Sequence, residues 1–181
     1  MRAPLRAFLV ALTAVLTVAA GAALVAQGRG RGGMGGMMGG GMMGDEAAQA
    51  DMALFHELFA ARETITRQVT PRADGVETVT ESSDPAVAKK IQTHVEAMSA
   101  RVREARPIHL RDPLFREVFA NAEKIALRAE ATPNGVRVVE TSADPWVVKL
   151  IQAHAEVVSA FIRNGQAEAM KNHPLPDRGG D

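Results

Sequence analysis

The sequence predicts an α+β fold: a tandem duplication of a helix–β-hairpin–helix unit, with the two hairpins joined into a four-stranded antiparallel sheet packed against helices. Three observations lead there. Shifting the chain by 60 residues aligns positions 54–103 with 114–163 without a gap, and 22 of these 50 pairs are identical, the signature of a repeated supersecondary unit. Each copy reads as an apolar stripe at helical spacing, a Thr- and Val-rich stretch around Asp-Gly or Asn-Gly, and a second helical stripe. A single unit of about 55 residues is marginal alone, so joining the two hairpins and covering one sheet face with helices is the arrangement that buries enough surface.

Before the duplicated region come two segments of different character. Residues 1–26 read as an export signal: Arg2 and Arg6 precede an uncharged run from Ala7 to Ala26, and Ala20-Gly21-Ala22 fits an A-x-A-like cleavage site. About 20 apolar residues also suffice for a membrane anchor, so membrane attachment follows only if this segment is retained. Residues 27–50 form a Met/Gly-rich tether, and positions 28–44 contain only ten Gly, five Met and two Arg. Such a composition lacks the branched apolar surface that would offset the entropy of ordering it.

The duplicated domain spans 51–168, with repeats at 51–105 and 111–165. Its first helix carries Leu54, Phe55, Leu58, Phe59 and Ile65 on one face, matched by Leu114, Phe115, Val118, Phe119 and Ile125. Asp112-Pro113 supplies a capping acceptor before a proline at the first helical position. Asp74-Gly75 and Asn134-Gly135 mark the hairpin turns, because glycine tolerates the positive φ such turns need. Asp84-Pro85 and Asp144-Pro145 start the second helices. Residues 169–181, with Pro174-Leu175-Pro176 and Gly179-Gly180, read as a loose C-terminal tail.

Composition narrows the chemistry. There is no cysteine, which removes disulfides, thiolate metal sites, iron–sulfur clusters and cysteine nucleophiles. The formal net charge is zero, but the first 44 residues carry four arginines and no acid, whereas residues 45–181 hold 17 basic and 21 acidic residues. A mildly acidic body argues against nucleic acid as a partner. No G-x-S-x-G, H-E-x-x-H or phosphate-loop pattern occurs. Ser99 and Ser159 follow a histidine by five residues, about 140° round a helix, so neither faces it as a nucleophile faces a base.

The candidate site residues are His94 and His154, each in the middle of an apolar helical stripe: Val87, Ile91, His94, Met98 and Val147, Ile151, His154, Val158. Neutral imidazole is a common metal ligand and thioether sulfur suits Cu(I). The same softness singles out Met34, Met37, Met38, Met42 and Met43 in the tether. A core histidine bonded to a backbone carbonyl or to a nearby carboxylate, with the repeated Glu63/Glu123 or Glu96/Glu156 available, is the favoured account of the pattern, and metal or haem ligation is its rival. His56, His109 and His173 read as surface residues. The expectation is an exported, non-enzymatic cell-envelope protein, periplasmic or otherwise secreted, that binds a transition metal, copper first, through His94, Met98 and His154. Haem held between the two histidines is one alternative. A protein–protein interaction module without a ligand, serving an envelope partner or a homodimer, is the other.

Overall fold

The computed structural model describes residues 42–179. The segment 1–26, most of the tether and the candidate ligands Met34, Met37 and Met38 lie outside the described residues. Helix α1 (Met42–Ala60) and a 3-10 turn (Arg62–Thr64) lead into strands β1 (Ile65–Arg72) and β2 (Gly75–Ser82), then helix α2 (Pro85–Arg103). Helix α3 (Pro113–Ala120) and a second 3-10 turn (Ala122–Lys124) lead into β3 (Ala126–Thr132) and β4 (Gly135–Thr141), then α4 (Pro145–Asn164) and the short α5 (Gln166–Ala169). The fold is α+β, with a four-stranded antiparallel sheet in the order β1-β2-β4-β3. No helix among the described residues is long and apolar enough to cross a membrane.

Several boundaries differ from the sequence expectation. Helix α1 takes in residues 42–50, which composition assigns to the tether. Ile65 opens β1 rather than closing the first helix, because the 3-10 turn intervenes. The hairpin turns are Ala73-Asp74 and Pro133-Asn134, and the glycines are the first residues of β2 and β4. Asp84, Asp112 and Asp144 do cap their helices, accepting hydrogen bonds from Ala86, Leu114 and Trp146 backbone N–H groups, with proline at the first turn in each case.

The central pairing of β2 with β4 sets Thr78 opposite Val138, Gly75 opposite Thr141 and Glu81 opposite Gly135. Paired positions at the centre are thus sixty residues apart, and the two hairpins meet about a local twofold axis. Close approach accounts for both glycines, and Gly75 in addition has a φ of +157°. A Cβ on Gly75 would lie 1.9 Å from the Glu140 carbonyl oxygen, and one on Gly135 would lie 2.0 Å from that of Thr80. Gly135 is not among the positive-φ glycines.

The helices then cross over. Val87 and Ile91 of α2 pack on Val136 and Val138 of β4, in the other hairpin. Val147, Ile151 and Ala155 of α4 pack on Val76 of β2. Gln92 Nε2 donates to the carbonyl oxygens of Thr132 (3.1 Å) and Gly135 (3.0 Å). Gln152 Nε2 does the same to Arg72 (2.9 Å) and Gly75 (3.0 Å). Each long helix is therefore fastened to the turn of the opposite hairpin.

Residues 170–179 contain no helix or strand but are held to the body. His173 is buried, contrary to its surface reading, with Nδ1 2.5 Å from Asp112 Oδ2 and Nε2 3.2 Å from Glu168 Oε1. Asp112 is 0% exposed and also accepts the His173 backbone N–H. Lys149 donates to the Asp177 carbonyl at 2.9 Å, and the Arg178 guanidinium lies 4.2 Å from the Trp146 ring centroid.

Two substitutions test this architecture by chemical denaturation. Gly135→Ala forces the β2 backbone away from β4, and a loss of at least about 2 kcal/mol is expected, as for severe overpacking. His173→Ala removes the imidazole that bridges the buried Asp112 and Glu168 side chains, and a loss of about 1–3 kcal/mol is expected, as for a buried polar group deprived of a hydrogen bond.

Candidate functional site

The inward face of the sheet follows from strand alternation. It carries Ile65, Arg67 and Val69 from β1, Val76, Thr78, Thr80 and Ser82 from β2, Val136, Val138 and Glu140 from β4, and Leu127 and Ala129 from β3. Most of these are apolar or hydroxylic, but Arg67 and Glu140 are charged. Above this face lies an interior cavity of about 200 Å³. Its floor includes Arg67, Thr78, Thr80, Val138 and Glu140. Its walls include Phe55 and Phe59 of α1, His94 and Met98 of α2, Phe115 and Phe119, and His154, Val158 and Phe161 of α4.

His94, Met98 and His154 thus border one cavity. Both imidazoles pack edge-on against a phenylalanine, His94 on Phe55 (4.4 Å between centroids) and His154 on Phe115 (5.1 Å). Burial depresses both from 6.5 to about 4, so they are neutral at physiological pH. Both side chains line the cavity. Asp51 opposes the shift at His94, whereas the Arg67 charge adds to it at His154. Neither Glu63/Glu123 nor Glu96/Glu156 serves as a hydrogen-bond partner here: the Nδ1 atom of His94 is buried and has none.

Of the other expected ligands, Met42 and Met43 begin α1. Among the described residues, no group of three or more His, Asp or Glu side chains is arranged to hold a metal ion. A copper site in the cavity would therefore draw on two imidazoles and the Met98 sulfur.

Arg67 and Glu140 are the residues the sequence reading missed. Arg67 donates from Nη1 to Thr80 Oγ1 at 2.6 Å, but its buried Nε has no partner. Burial lowers the guanidinium to about 10, against the raising influence of Glu140 and Glu156, and it stays charged at neutral pH. Burial raises the Glu140 carboxyl to about 7, with the Arg67 charge opposing. A signal was available. On strands whose alternate residues are Ile65, Val69, Val136 and Val138, a charge in phase with them points into the core. Repeat alignment reinforces it, because Arg67 stands where the second copy has Leu127, and Glu140 where the first has Thr80.

The second polar cluster, around His173, is different in kind. Asp112, Glu168, Lys171, Asn164 and His173 bond one another, and hydrogen bonds from Lys171, Asn164 and His173 hold the Glu168 carboxyl down at about 2. Its members are satisfied, which is the mark of a structural clasp. His109 lies beside it with a buried, unpartnered Nε2, 3.9 Å from Asp112 Oδ2.

No protein-family model, curated protein or solved structure matches this chain, so its own geometry carries the functional reading.

Cavity protonation makes stability pH-dependent. His94 and His154, neutral in the fold, each take up a proton on unfolding between about pH 4 and 6.5, so their contribution is lost as pH falls through that window. Glu140 works the other way between 4.5 and about 7: the folded state holds the extra proton, and the contribution is lost as pH rises. Two imidazoles outweigh one carboxyl. Urea unfolding should show the protein less stable at about pH 4.5 than at pH 6.5 by on the order of 2 kcal/mol, a difference reduced in His94→Gln/His154→Gln.

Proposed function

We propose that this chain is an exported, non-enzymatic binding protein whose folded domain holds one small, mainly apolar molecule in the interior cavity. One observation carries the reading: Arg67 Nε and His94 Nδ1, both buried and both without a partner, belong to the walls of the same phenylalanine-lined space. Buried polar groups are normally satisfied. An apolar cavity with a few convergent polar groups is the usual form of a small-molecule site. At about 200 Å³ it is somewhat larger than a cavity of about 150 Å³ that accommodates benzene, so a single ring with a short polar substituent is the right size. Export rests on the composition of residues 1–26.

Copper is the second reading, favoured by the convergence of His94, Met98 and His154 on the cavity and by imidazoles that are neutral at physiological pH. It ranks lower because the Arg67 guanidinium faces the same space and repels a cation. Haem ranks lower still: the cavity falls below the roughly 300–1,000 Å³ of ordinary ligand pockets, so the helices would have to part.

Benzyl alcohol is a suitable neutral probe. Its addition should shift the aromatic NMR signals of Phe55, Phe115 and Phe161, and Val158→Trp, which fills the space, should abolish those shifts while circular dichroism stays unchanged. Absence of any shift at millimolar probe would sink the cavity reading. Cu(I) titrated in parallel separates the readings: stoichiometric binding lost in His94→Ala would favour copper.

A further inference from the structure

We propose that the molecule held in this cavity is a small organic acid with an apolar body, bound as its anion by Arg67, and that Glu140 takes up a proton when it binds. The inference rests on the cavity reading and adds the chemical class of the ligand. Arg67 presents a buried Nε–H with no acceptor, and its Nη1 bond goes to Thr80 rather than to Glu140. A guanidinium offers parallel N–H groups that match a carboxylate. His94 adds an unpartnered ring nitrogen, and Thr78 and Thr80 add hydroxyls on the floor.

Charge balance brings in Glu140. Arg67 and Glu140 occupy equivalent-row positions on either side of the central Thr78–Val138 pair. With no ligand, the carboxylate of Glu140 partly neutralises the buried guanidinium. A second anion beside Arg67 makes two negative charges face one positive in a desolvated space, and the balance is restored when Glu140 binds a proton. Its carboxyl, raised to about 7 by burial, is already near that change. The other charged groups do not substitute for it. Both histidines stay neutral above about pH 5, Glu156 acts on Arg67 from α4, Asp51 acts on His94, and Asp112 acts on His154. Arg62 also borders the cavity, but its guanidinium is directed to the Phe59 carbonyl and Glu63.

The test is calorimetric titration of the purified protein with benzoate and with benzyl alcohol at pH 6 and pH 8. Benzoate should bind more tightly than benzyl alcohol at pH 6 and about 10-fold more weakly at pH 8 than at pH 6, as one coupled proton requires, while benzyl alcohol is indifferent to pH. Arg67→Leu should weaken benzoate at least about 10-fold with benzyl alcohol little changed, and Arg67→Lys should restore part of the loss. Glu140→Gln should remove the pH dependence. Benzyl alcohol binding without benzoate, or benzoate binding indifferent to Arg67→Leu, overturns the acid assignment and leaves the cavity reading standing. Failure of both probes to bind overturns both.

Discussion

The structure depends on a reciprocal exchange: each long helix packs on the central strand of the opposite hairpin. Val87 and Ile91 of α2 lie on β4, and Val147 and Ile151 of α4 lie on β2. Two of the three apolar clusters draw on both halves, and only that of Leu114, Val118 and Leu150 lies within one of them. The exchange is possible only because β2 and β4 run close together, which Gly75 and Gly135 allow by lacking a Cβ where the Glu140 and Thr80 carbonyls stand. Gln92 and Gln152 then fix the helices against the turns. Sheet register, helix placement and turn position are coupled, so an error in one propagates to the others.

The cavity lies above the same sheet face, and its lining includes phenylalanines from α1, α3 and α4. The closure is uneven. In α3, Leu114, Phe115 and Val118 are buried, whereas the corresponding Leu54, Phe55 and Leu58 of α1 are only half-buried. Helix α1 is the more weakly packed wall, and one partly buried tie beyond its apolar stripe is the ion pair of Asp51 with Arg101. Fewer buried contacts mean a lower cost of local opening, so α1 is the wall expected to part first.

Much of the fold was legible because its signals are local. The Asp-Pro caps name three helix starts, and alternation in the Val-rich strands gives the inward face. The hairpin turns fall one residue before the glycines, because Gly75 and Gly135 are required where carbonyls 65 and 55 residues away in sequence approach closely. The site was only half legible. His94 and His154 stand out as polar residues in apolar helical stripes. Arg67 and Glu140 obey the same logic with a period of two, but a charged residue in a short polar strand reads as solvent-facing until the strand's phase is known. The burial of His173 leaves no periodic trace, because in an irregular segment it depends on Asp112, sixty-one residues away, and on Glu168.

Arg67 is the residue that most favours the proposed ligand site over an ordinary core. Its counterpart Leu127 occupies the equivalent position across from Glu140, as Arg67 does across from Thr80. The architecture therefore accommodates an aliphatic side chain at this point of the sheet. A buried charge replaced by a well-packed apolar residue is often neutral or stabilising, and an unpartnered buried donor costs about 1–3 kcal/mol. Stability alone gives no reason for a guanidinium with a vacant Nε in this cavity. The same holds for the vacant nitrogen of His94, which lies among phenylalanines with no bond to lose. Two unmet donors or acceptors, one on the sheet floor and one on α2, line one cavity and are costly to the fold by themselves. Together with the two charges that Arg67 and Glu140 bring to the inward sheet face, these unmet groups are what favour the proposed binding role over packing alone.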